Sequence, residues 1–328
     1  MRGLHHIILE TRRLKYEFDI KRNITIVLGD SATGKTTMMG LLREYGLRRE
    51  SSGVTLNSDV PCEVYAGTEE QWKIILQSYN QSIVFFDEGY HFIFTKEFAS
   101  FISGTDNYYV FITRKPIKCI PYSINEIYGI RTTGKYHFPE QIYHEFYPIY
   151  TDKSAWDEFD SDSPVLLVED DCSGYQFFSK TWKGECISVG GNAGFAKMIQ
   201  MTKPNAIIAD GAAFGAYIQD VMIYREHFPD MMVYLLESFE WMILKSGVVA
   251  AENMSDVLAH PEDYIECSAY FSWERFFTGF LVGITRDDSI TAYQKQKLKP
   301  FYLEGKVRER ILSVIPEEFR MQFETGCR

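Results

Sequence analysis

A short glycine-rich segment constrains the fold of this chain more than any other part of its sequence. Residues 29–36 read Gly-Asp-Ser-Ala-Thr-Gly-Lys-Thr, after the apolar run Asn23–Leu28 and before a stretch of helical character, Lys35–Tyr45. Glycines allow such a turn to close around an anion, and the first amide groups of a following helix attract negative charge. The segment therefore predicts a strand, an anion-binding turn and a helix in succession, as in α/β folds.

The same residues fit the pattern G-x-x-x-x-G-K-[ST] at every fixed position and resemble the Walker A motif of P-loop NTPases. The resemblance implies that Lys35 acts on the β- and γ-phosphates and that Thr36 is a Mg²⁺ ligand. ATP and Mg²⁺ are the expected cofactors, with ATP favoured by elimination because no Asn-Lys-x-Asp guanine-recognition sequence occurs. A glycine-rich turn without a ligand is the alternative. The predicted nucleotide-binding residues of the segment are Gly29, Asp30, Ser31, Ala32, Thr33, Gly34, Lys35, Thr36 and Thr37.

An acidic pair follows the continuous apolar run Ile83–Phe86, which is typical of a strand buried on both faces. The run and its pair, Asp87-Glu88, resemble the Walker B motif of P-loop NTPases. The resemblance implies that Asp87 helps to hold Mg²⁺ and that Glu88 is a catalytic residue, which orients or deprotonates the attacking water. Solvated acids also end many ordinary strands, so this interpretation depends on the glycine-rich segment.

A third apolar run, Tyr108–Ile112, ends at Thr113 and Arg114. A polar residue at the tip of a neighbouring strand is placed to contact the γ-phosphate or the attacking water, so both are candidate nucleotide-binding residues. Two alternatives stay open for Arg114: it stabilises charge in the site of a neighbouring subunit, or it is simply a solvated basic strand end.

The second half of the chain alternates strands with helices, and acidic residues follow several of its strands. Glu169 follows the first predicted strand, Asp210 the third and Glu237 the fourth. The carboxyl ends of parallel strands form one edge of a sheet, where ligands bind. Carboxylates that converge there need a cation such as Mg²⁺ or Mn²⁺, so all three are candidate metal ligands. Solvated strand ends without a ligand are the alternative. The predicted strands are Val165–Val168, Cys186–Val189, Ala206–Ala209 and Met232–Leu236, with helices near Cys172–Trp182, Ala193–Met201, Phe214–Arg225 and Phe239–Lys245.

These strand ends resemble Toprim domains, which carry a glutamate after one strand and an Asp-x-Asp after a later one. Glu169 and Asp210 match this arrangement, while Ala212 stands in place of the second aspartate. A P-loop ATPase followed by a Toprim domain is similar to OLD-family (overcoming lysogenization defect) nucleases, although no Leu-Ser-Gly-Gly-Gln signature occurs. The resemblance implies that Glu169 and Asp210 are catalytic in metal-dependent cleavage, with Glu237 replacing the missing acid. A response-regulator receiver phosphorylated on Asp210 and an unrelated Rossmann-like module are the alternatives.

Length and patterning predict an α/β protein with two parallel-sheet domains, since 328 residues exceed the usual size of one domain. The acidic stretch DKSAWDEFDSD interrupts the apolar periodicity near the middle of the chain. We expect a P-loop NTPase domain over 1–150, an acidic linker over 151–163, a Toprim-like or Rossmann-like domain over 164–250 and a mainly helical extension over 251–328. An acidic loop within one domain is the alternative.

Composition excludes several other classes of protein. Hydrophobic residues make up 45% of the chain and charged residues 24%, as in folded globular proteins. No apolar run is long enough for a membrane span or a signal peptide, which predicts a cytoplasmic protein that does not bind membranes. Six dispersed cysteines without a CxxC pair predict reduced thiols. A net charge of −11 disfavours non-specific coating of nucleic acid, whereas the basic and aromatic residues 285–310 are a local candidate for it, with a solvated helix as the alternative.

Two hypotheses of function follow from these features. The first is an ATP-gated, metal-dependent nuclease that acts on DNA or RNA in defence or in a mobile element. The second is an ATP-dependent switch whose second domain binds a protein or nucleic acid without cutting it. Both hypotheses require the nucleotide site, and we expect the protein to form a homo-oligomer.

Overall fold

The structure of the chain is a computed structural model that describes residues 1–29, 33–137, 140–150 and 163–323. Contacts divide the chain into two compact units. The first consists of Met1–Thr151 with His260–Ser272, and the second of Asp152–Ala259 with Trp273–Arg328. Three predicted nucleotide-binding residues, Asp30, Ser31 and Ala32, lie outside the described residues, as does the predicted linker up to residue 162.

The first unit contains one large mixed sheet. Its strands are β1 (His5–Glu10), β2 (Leu14–Ile20), β3 (Ile24–Val27), β4 (Thr55–Asn57), β5 (Cys62–Val64), β6 (Ile83–Phe86), β7 (Tyr108–Ile112), β8 (Ile127–His137) and β9 (Gln141–Pro148). They lie in the order β4-β1-β2-β9-β8-β3-β7-β6-β5. Five neighbouring pairs are parallel, and the pairs β1–β2, β1–β4 and β8–β9 are antiparallel. The prediction of an all-parallel sheet is therefore wrong for this unit, although most of its pairs are parallel.

The antiparallel pairs have local causes. Between β1 and β2, the backbone N–H of Thr11 donates to the carbonyl of Leu14 at 2.8 Å, and its hydroxyl accepts from the N–H of Leu14 at 3.0 Å. So short a connection permits only antiparallel pairing. Strands β8 and β9 were not predicted because β9, Gln141–Pro148, mixes Tyr, His and Glu with apolar residues and is mostly half-buried. No continuous apolar run marks it in the sequence.

The centre of this sheet matches the prediction. Every residue of β3, β6 and β7 is buried, as expected of strands that are covered on both faces. The order of the sheet places β7 between β3 and β6. The three strongest apolar runs of the first half thus form adjacent parallel strands, and their carboxyl ends share one edge.

Three α-helices belong to the first unit: α1 (Lys35–Arg48), α2 (Trp72–Gln77) and α3 (Lys96–Ile102). Helix α1 begins where the sequence predicts it. The turn before α2 forms only half of a capping box. The side-chain oxygen of Gln71 accepts from the backbone N–H of Thr68 at 3.3 Å, but the N–H of Gln71 donates to the carbonyl of Thr68, whose hydroxyl donates to Glu70. Helix α2 accordingly begins at Trp72 and ends at Gln77.

The second unit contains a smaller sheet in which all pairs are parallel. Its strands are β10 (Val165–Val168), β11 (Glu185–Ser188), β12 (Ala206–Asp210) and β13 (Met232–Leu236). The helices between and after them are α4 (Ser173–Phe178), α5 (Phe195–Thr202), α6 (Ile218–His227) and α7 (Phe239–Lys245). The predicted strand–helix alternation and the predicted parallel sheet are confirmed here.

The strand order of this sheet is β11-β10-β12-β13. Counted within the unit, it is 2-1-3-4, which corresponds to the first four strands of a flavodoxin-like doubly wound sheet. The connections that leave β10 and β11 run in opposite directions across the sheet. A crevice therefore opens between the carboxyl ends of β10 and β12, the place where such sheets bind ligands.

The remaining residues of the chain are mainly helical, as predicted, but the segment His260–Ser272 groups with the first unit. The helices are α8 (Met254–Ala259), α9 (Trp273–Thr285), α10 (Pro300–Leu303), α11 (Gly305–Leu312) and α12 (Glu317–Arg320). Phe319 and Phe323 pack against Trp182, which anchors the end of the described chain on the second unit. Among the described residues, no helix is both long and apolar enough to cross a membrane.

Candidate functional site

The glycine-rich segment lies between the end of β3 and the first turn of α1. Lys35 is only 7% exposed, and its ammonium donates to the carbonyl of Gly29 at 2.6 Å and to the hydroxyl of Thr33 at 3.0 Å. Gly29 and Gly34 both have positive φ angles, of 140° and 95°. The described residues of the predicted cradle are therefore gathered around the side chain of Lys35, with the exposed Thr36 and Thr37 at the start of α1.

Two side chains that the sequence did not single out support this turn. The hydroxyl of Tyr16 donates to the carbonyl of Gly34 at 3.0 Å, and its ring stacks on His144 with centroids 4.4 Å apart. A Cβ atom on Gly34 would come within 2.9 Å of the Tyr16 hydroxyl, so a larger residue does not fit. Burial raises the pKa of Tyr16 to about 12 and lowers the pKa of His144, so both rings are neutral at pH 7.

No sequence pattern joins this pair. Tyr16 and His144 face each other because β2 and β9 pair in parallel, with Tyr16 opposite His144. Since 128 positions separate them (144 minus 16), only the pairing of the strands reveals the contact.

The acidic pair lies at the same sheet edge as the cradle. Phe86 is paired with Phe111 in β7, and Ile112 is paired with Val27 in β3. The N–H of Thr113 donates to the carbonyl of Val27 at 3.3 Å. The end of β7 thus lies between the glycine-rich turn on one side and Asp87-Glu88 on the other, so the structure brings these three predicted elements together.

Both acids of the pair contact arginines. Asp87 accepts from the guanidinium of Arg43 at 2.8 Å, and Glu88 accepts from the Nε atom of Arg114 at 3.2 Å. Arg43 lies on α1, eight positions after Lys35, and the sequence analysis did not identify it. Arg114 thus contacts a predicted catalytic residue, and none of its three sequence-based interpretations included this contact.

At the crevice of the second unit, Glu169 and Asp210 are adjacent. A carboxylate oxygen of Glu169 accepts from the backbone N–H of Asp210 at 2.7 Å, and Asp210 accepts from the N–H of Phe239 at 3.2 Å. Burial raises the pKa of Glu169 to about 8. Burial, and then the nearby charge of Glu169, raise the pKa of Asp210 well above its usual range. Two predicted site residues therefore meet in a poorly solvated place.

A lysine that the sequence analysis did not assign to this site is part of the same cluster. The ammonium of Lys295 lies 2.6 Å from Glu274 and 3.8 Å from Glu240. Burial opposes its charge, but Glu240 and Glu274 outweigh burial and raise the pKa of Lys295. Tyr293 donates to Glu240 at 2.7 Å, while the other oxygen of Glu240 has no hydrogen-bond partner among the described residues. The chain itself thus supplies a cation beside these carboxylates.

Two further acids lie at this edge. The carboxylate of Asp170 accepts from the N–H groups of Gly174 and Tyr175, at the start of α4. Glu237, the predicted third ligand, is half-buried after β13, and its backbone carbonyl accepts from Ala212 at 3.2 Å. Within the described part of the chain, no group of three or more His, Cys, Asp or Glu side chains is arranged to hold a metal ion. The metal roles of Glu169, Asp210 and Glu237 therefore stay a prediction without a preformed ligand set.

No protein-family model matches the chain, and no curated protein matches its sequence.

Proposed function

We propose that the first unit binds ATP in the glycine-rich turn and hydrolyses it. The observation that carries this proposal is the shared carboxyl edge of β3, β7 and β6. It brings the buried ammonium of Lys35 and the acidic pair Asp87-Glu88 to two sides of Thr113. In this arrangement the cation is placed to bind the phosphate chain, and a carboxylate on the other side of the strand end is placed to orient the attacking water.

Each residue has a defined task in this scheme. Lys35 leaves its contacts with the carbonyl of Gly29 and the hydroxyl of Thr33 to bind the β- and γ-phosphates. Backbone N–H groups at the start of α1 bind the phosphate oxygens. Glu88 orients a water molecule toward the γ-phosphorus and accepts its proton as the bond to ADP breaks. The hydroxyl of Thr113 donates to the carbonyl of Lys115 at 2.9 Å and accepts from its N–H at 3.0 Å, so Thr113 has to leave these bonds before it holds the same water.

The oxygen donors at this edge also fit Mg²⁺. The exposed hydroxyl of Thr36 and the carboxylate of Asp87 would hold it, and the ion neutralises phosphate charge when bound. Asp87 is paired with Arg43, so this carboxylate has to turn away from the arginine, at least in part, before it holds a cation. The side chains of Arg43 and Asp87 are 40% and 24% exposed, and a solvent-accessible pair contributes only about 0–1 kcal/mol, which makes the exchange feasible.

The test is nucleotide binding by the full chain, followed by hydrolysis. We expect fluorescent ATP to bind the wild type, Lys35→Ala to abolish binding, and Lys96→Ala, which removes an exposed lysine on α3, to bind normally. Glu88→Gln is expected to bind ATP but to hydrolyse it at least about a hundredfold more slowly, as for loss of a general base. Normal ATP binding by Lys35→Ala would refute the proposal.

For the second unit, we infer a binding role in preference to nuclease activity. Lys295 already supplies a cation beside Glu240 and Glu274, its charge also acts on Asp210, and the described acids form no metal-holding group. The test is to measure whether the protein cleaves single- and double-stranded DNA and RNA in the presence of Mg²⁺ or Mn²⁺, with and without ATP. Cleavage by the wild type that Asp210→Asn abolishes would establish the nuclease and overturn this inference.

A further inference from the structure

A small cleft lies beside the predicted catalytic acid of the first unit. It has a volume of about 210 Å³, and Ile112 and Thr113 at the end of β7 help to line it. Its lining also includes Glu88 and two consecutive cations, Arg114 and Lys115. The cleft therefore adjoins the proposed hydrolytic site and shares Glu88 and Thr113 with it.

The charge of this cleft is opposite to that of the whole chain. Among the residues that line it, Arg114 and Lys115 are basic, and Glu88 is the one acid. The net charge of the chain is −11. A local excess of positive charge in an acidic protein favours an anionic ligand at this point.

The ion pair inside the cleft is easily opened. The side chains of Arg114 and Glu88 are 60% and 37% exposed, and their closest atoms are 3.2 Å apart. Exposed pairs of this kind are weak because water and salt screen them. An incoming phosphate, which accepts two hydrogen bonds from a guanidinium, competes well for the same arginine.

Aromatic side chains complete the cleft. Tyr90 is held by a 3.3 Å hydrogen bond from its hydroxyl to the carbonyl of Tyr65, and Phe94, which is 38% exposed, lies in the lining. Cations that bind phosphate and aromatic rings that stack on bases are the combination that single-stranded nucleic acids require. An acidic protein segment would use the cations but not the rings.

We propose that this cleft binds a phosphate group of single-stranded nucleic acid, and that the phosphate draws Arg114 away from Glu88. Glu88 is then able to orient the attacking water, so the ligand stimulates ATP hydrolysis. This inference rests on the proposed function of the first unit. A mononucleotide and inorganic phosphate also present a phosphate group, but without the adjoining nucleotides of a nucleic-acid strand. The experiment distinguishes these three sources of phosphate.

The experiment measures ATP hydrolysis by the full chain with oligothymidylate, AMP, inorganic phosphate or polyglutamate added. We expect oligothymidylate to stimulate wild type and Lys96→Ala, with less effect from AMP and phosphate and none from polyglutamate. In Arg114→Ala, the rate of ATP hydrolysis without ligand should rise about two- to fivefold, which corresponds to the free energy of one exposed ion pair. Oligothymidylate should not increase the rate of this variant further.

Three results would overturn the inference. One is an unchanged rate and unchanged stimulation in Arg114→Ala. Another is loss of hydrolysis in that variant with ATP binding retained, which would place Arg114 on the γ-phosphate instead. The third is stimulation by polyglutamate but not by oligothymidylate, which would indicate a protein ligand.

A binding measurement separates this inference from the proposed function. Fluorescence anisotropy of labelled oligothymidylate, without ATP, should show at least about tenfold weaker binding to the double variant Arg114→Ala/Lys115→Ala than to Lys96→Ala. If neither wild type nor Lys35→Ala binds ATP, the proposed function fails while this measurement still decides whether the cleft binds nucleic acid. Equal binding by both variants would refute the cleft as the site.

Discussion

At the scale of the residue, Gly34 is constrained both by its backbone conformation and by its packing. Its φ angle of 95° lies in the left-handed region, and the Tyr16 hydroxyl and the His144 ring occupy the space that a side chain would need. The turn that precedes α1 thus depends on the absence of a Cβ atom for two reasons, backbone conformation and packing.

Gly34→Ala is therefore expected to lower the free energy of unfolding by about 1–3 kcal/mol and to weaken ATP binding. Gly40→Ala is the matched control, because Gly40 lies inside α1 with nothing within 4 Å of an added Cβ atom. That variant should gain about 0.5–1 kcal/mol from helix propensity. Chemical denaturation and nucleotide titration of both variants measure the effects, and equal stability of the two would contradict the constraint at Gly34.

The raised pKa of Glu169 has a consequence for the dependence of stability on pH. Its ordinary value of 4.5 applies to the unfolded chain, and burial raises the folded value to about 8. Between these values the folded state holds the proton more tightly, so the contribution of Glu169 to stability falls as pH rises. We expect Glu169→Gln to flatten this decline in denaturant titrations across that range, whereas Glu185→Gln, an exposed control, should leave it unchanged. A parallel decline in both variants would refute the assignment.

At the scale of the element, the cation of the second site comes from an irregular segment, and the two acids that it contacts come from helices. Lys295 lies between α9 and α10, Glu240 is in the first turn of α7, and Glu274 is in the first turn of α9. Carboxylates at helix N-termini are favoured by the helix dipole, and a lysine between them links the two helices. The contact between α7 and α9 therefore depends on this lysine.

Lys295→Met is expected to destabilise the second unit by about 1–3 kcal/mol, less than for a fully buried pair because Lys295 is partly exposed. The additional substitution Glu274→Gln should recover part of the loss, since it removes one of the uncompensated carboxylates. Lys297→Ala, which removes an exposed lysine two positions away, is the control. Thermal unfolding of the four proteins, wild type included, makes the comparison, and no loss in Lys295→Met would contradict the linking role.

At the scale of the whole molecule, the first unit is built from two separate parts of the sequence. The segment His260–Ser272 belongs to it, although Asp152–Ala259, which comes earlier in the sequence, belongs to the second unit. Backbone bonds join Gly3 to Glu262 and Cys267 to Met1, and the side-chain amide of Asn23 donates to the carbonyl of Phe271 at 2.7 Å. The amino terminus also pairs with Glu266. A boundary near residue 160 would therefore remove part of the first unit.

A fragment of residues 1–163 is accordingly expected to be less stable than the first unit of the full chain, with unpaired backbone groups at its N-terminus. Addition of a synthetic peptide of residues 260–272 should raise its melting temperature, and a scrambled peptide should not. Circular dichroism melts measure both effects. A fragment that melts like the full chain without the peptide would show that the returning segment is dispensable.

The parts of the fold that the sequence determined by itself are local. The glycine-rich turn, the buried strands β3, β6 and β7, and the alternation of the second unit are each encoded in runs of a few residues, whose periodicity and turn chemistry act over one element. The same holds for the acids Glu88, Glu169 and Asp210, whose places at strand ends follow from the strands.

Only the tertiary structure decided which side chains accompany them. The partners Tyr16 with His144, Arg43 with Asp87, and Lys295 with Glu240 are separated by 128 (144 minus 16), 44 (87 minus 43) and 55 (295 minus 240) positions. The mixed sheet likewise depends on the pairing of β8 with β9, and the first unit on the return of residues 260–272. Strand register and packing set these contacts. Both depend on the folded chain as a whole, because the residues of one short segment do not specify which distant residues they contact.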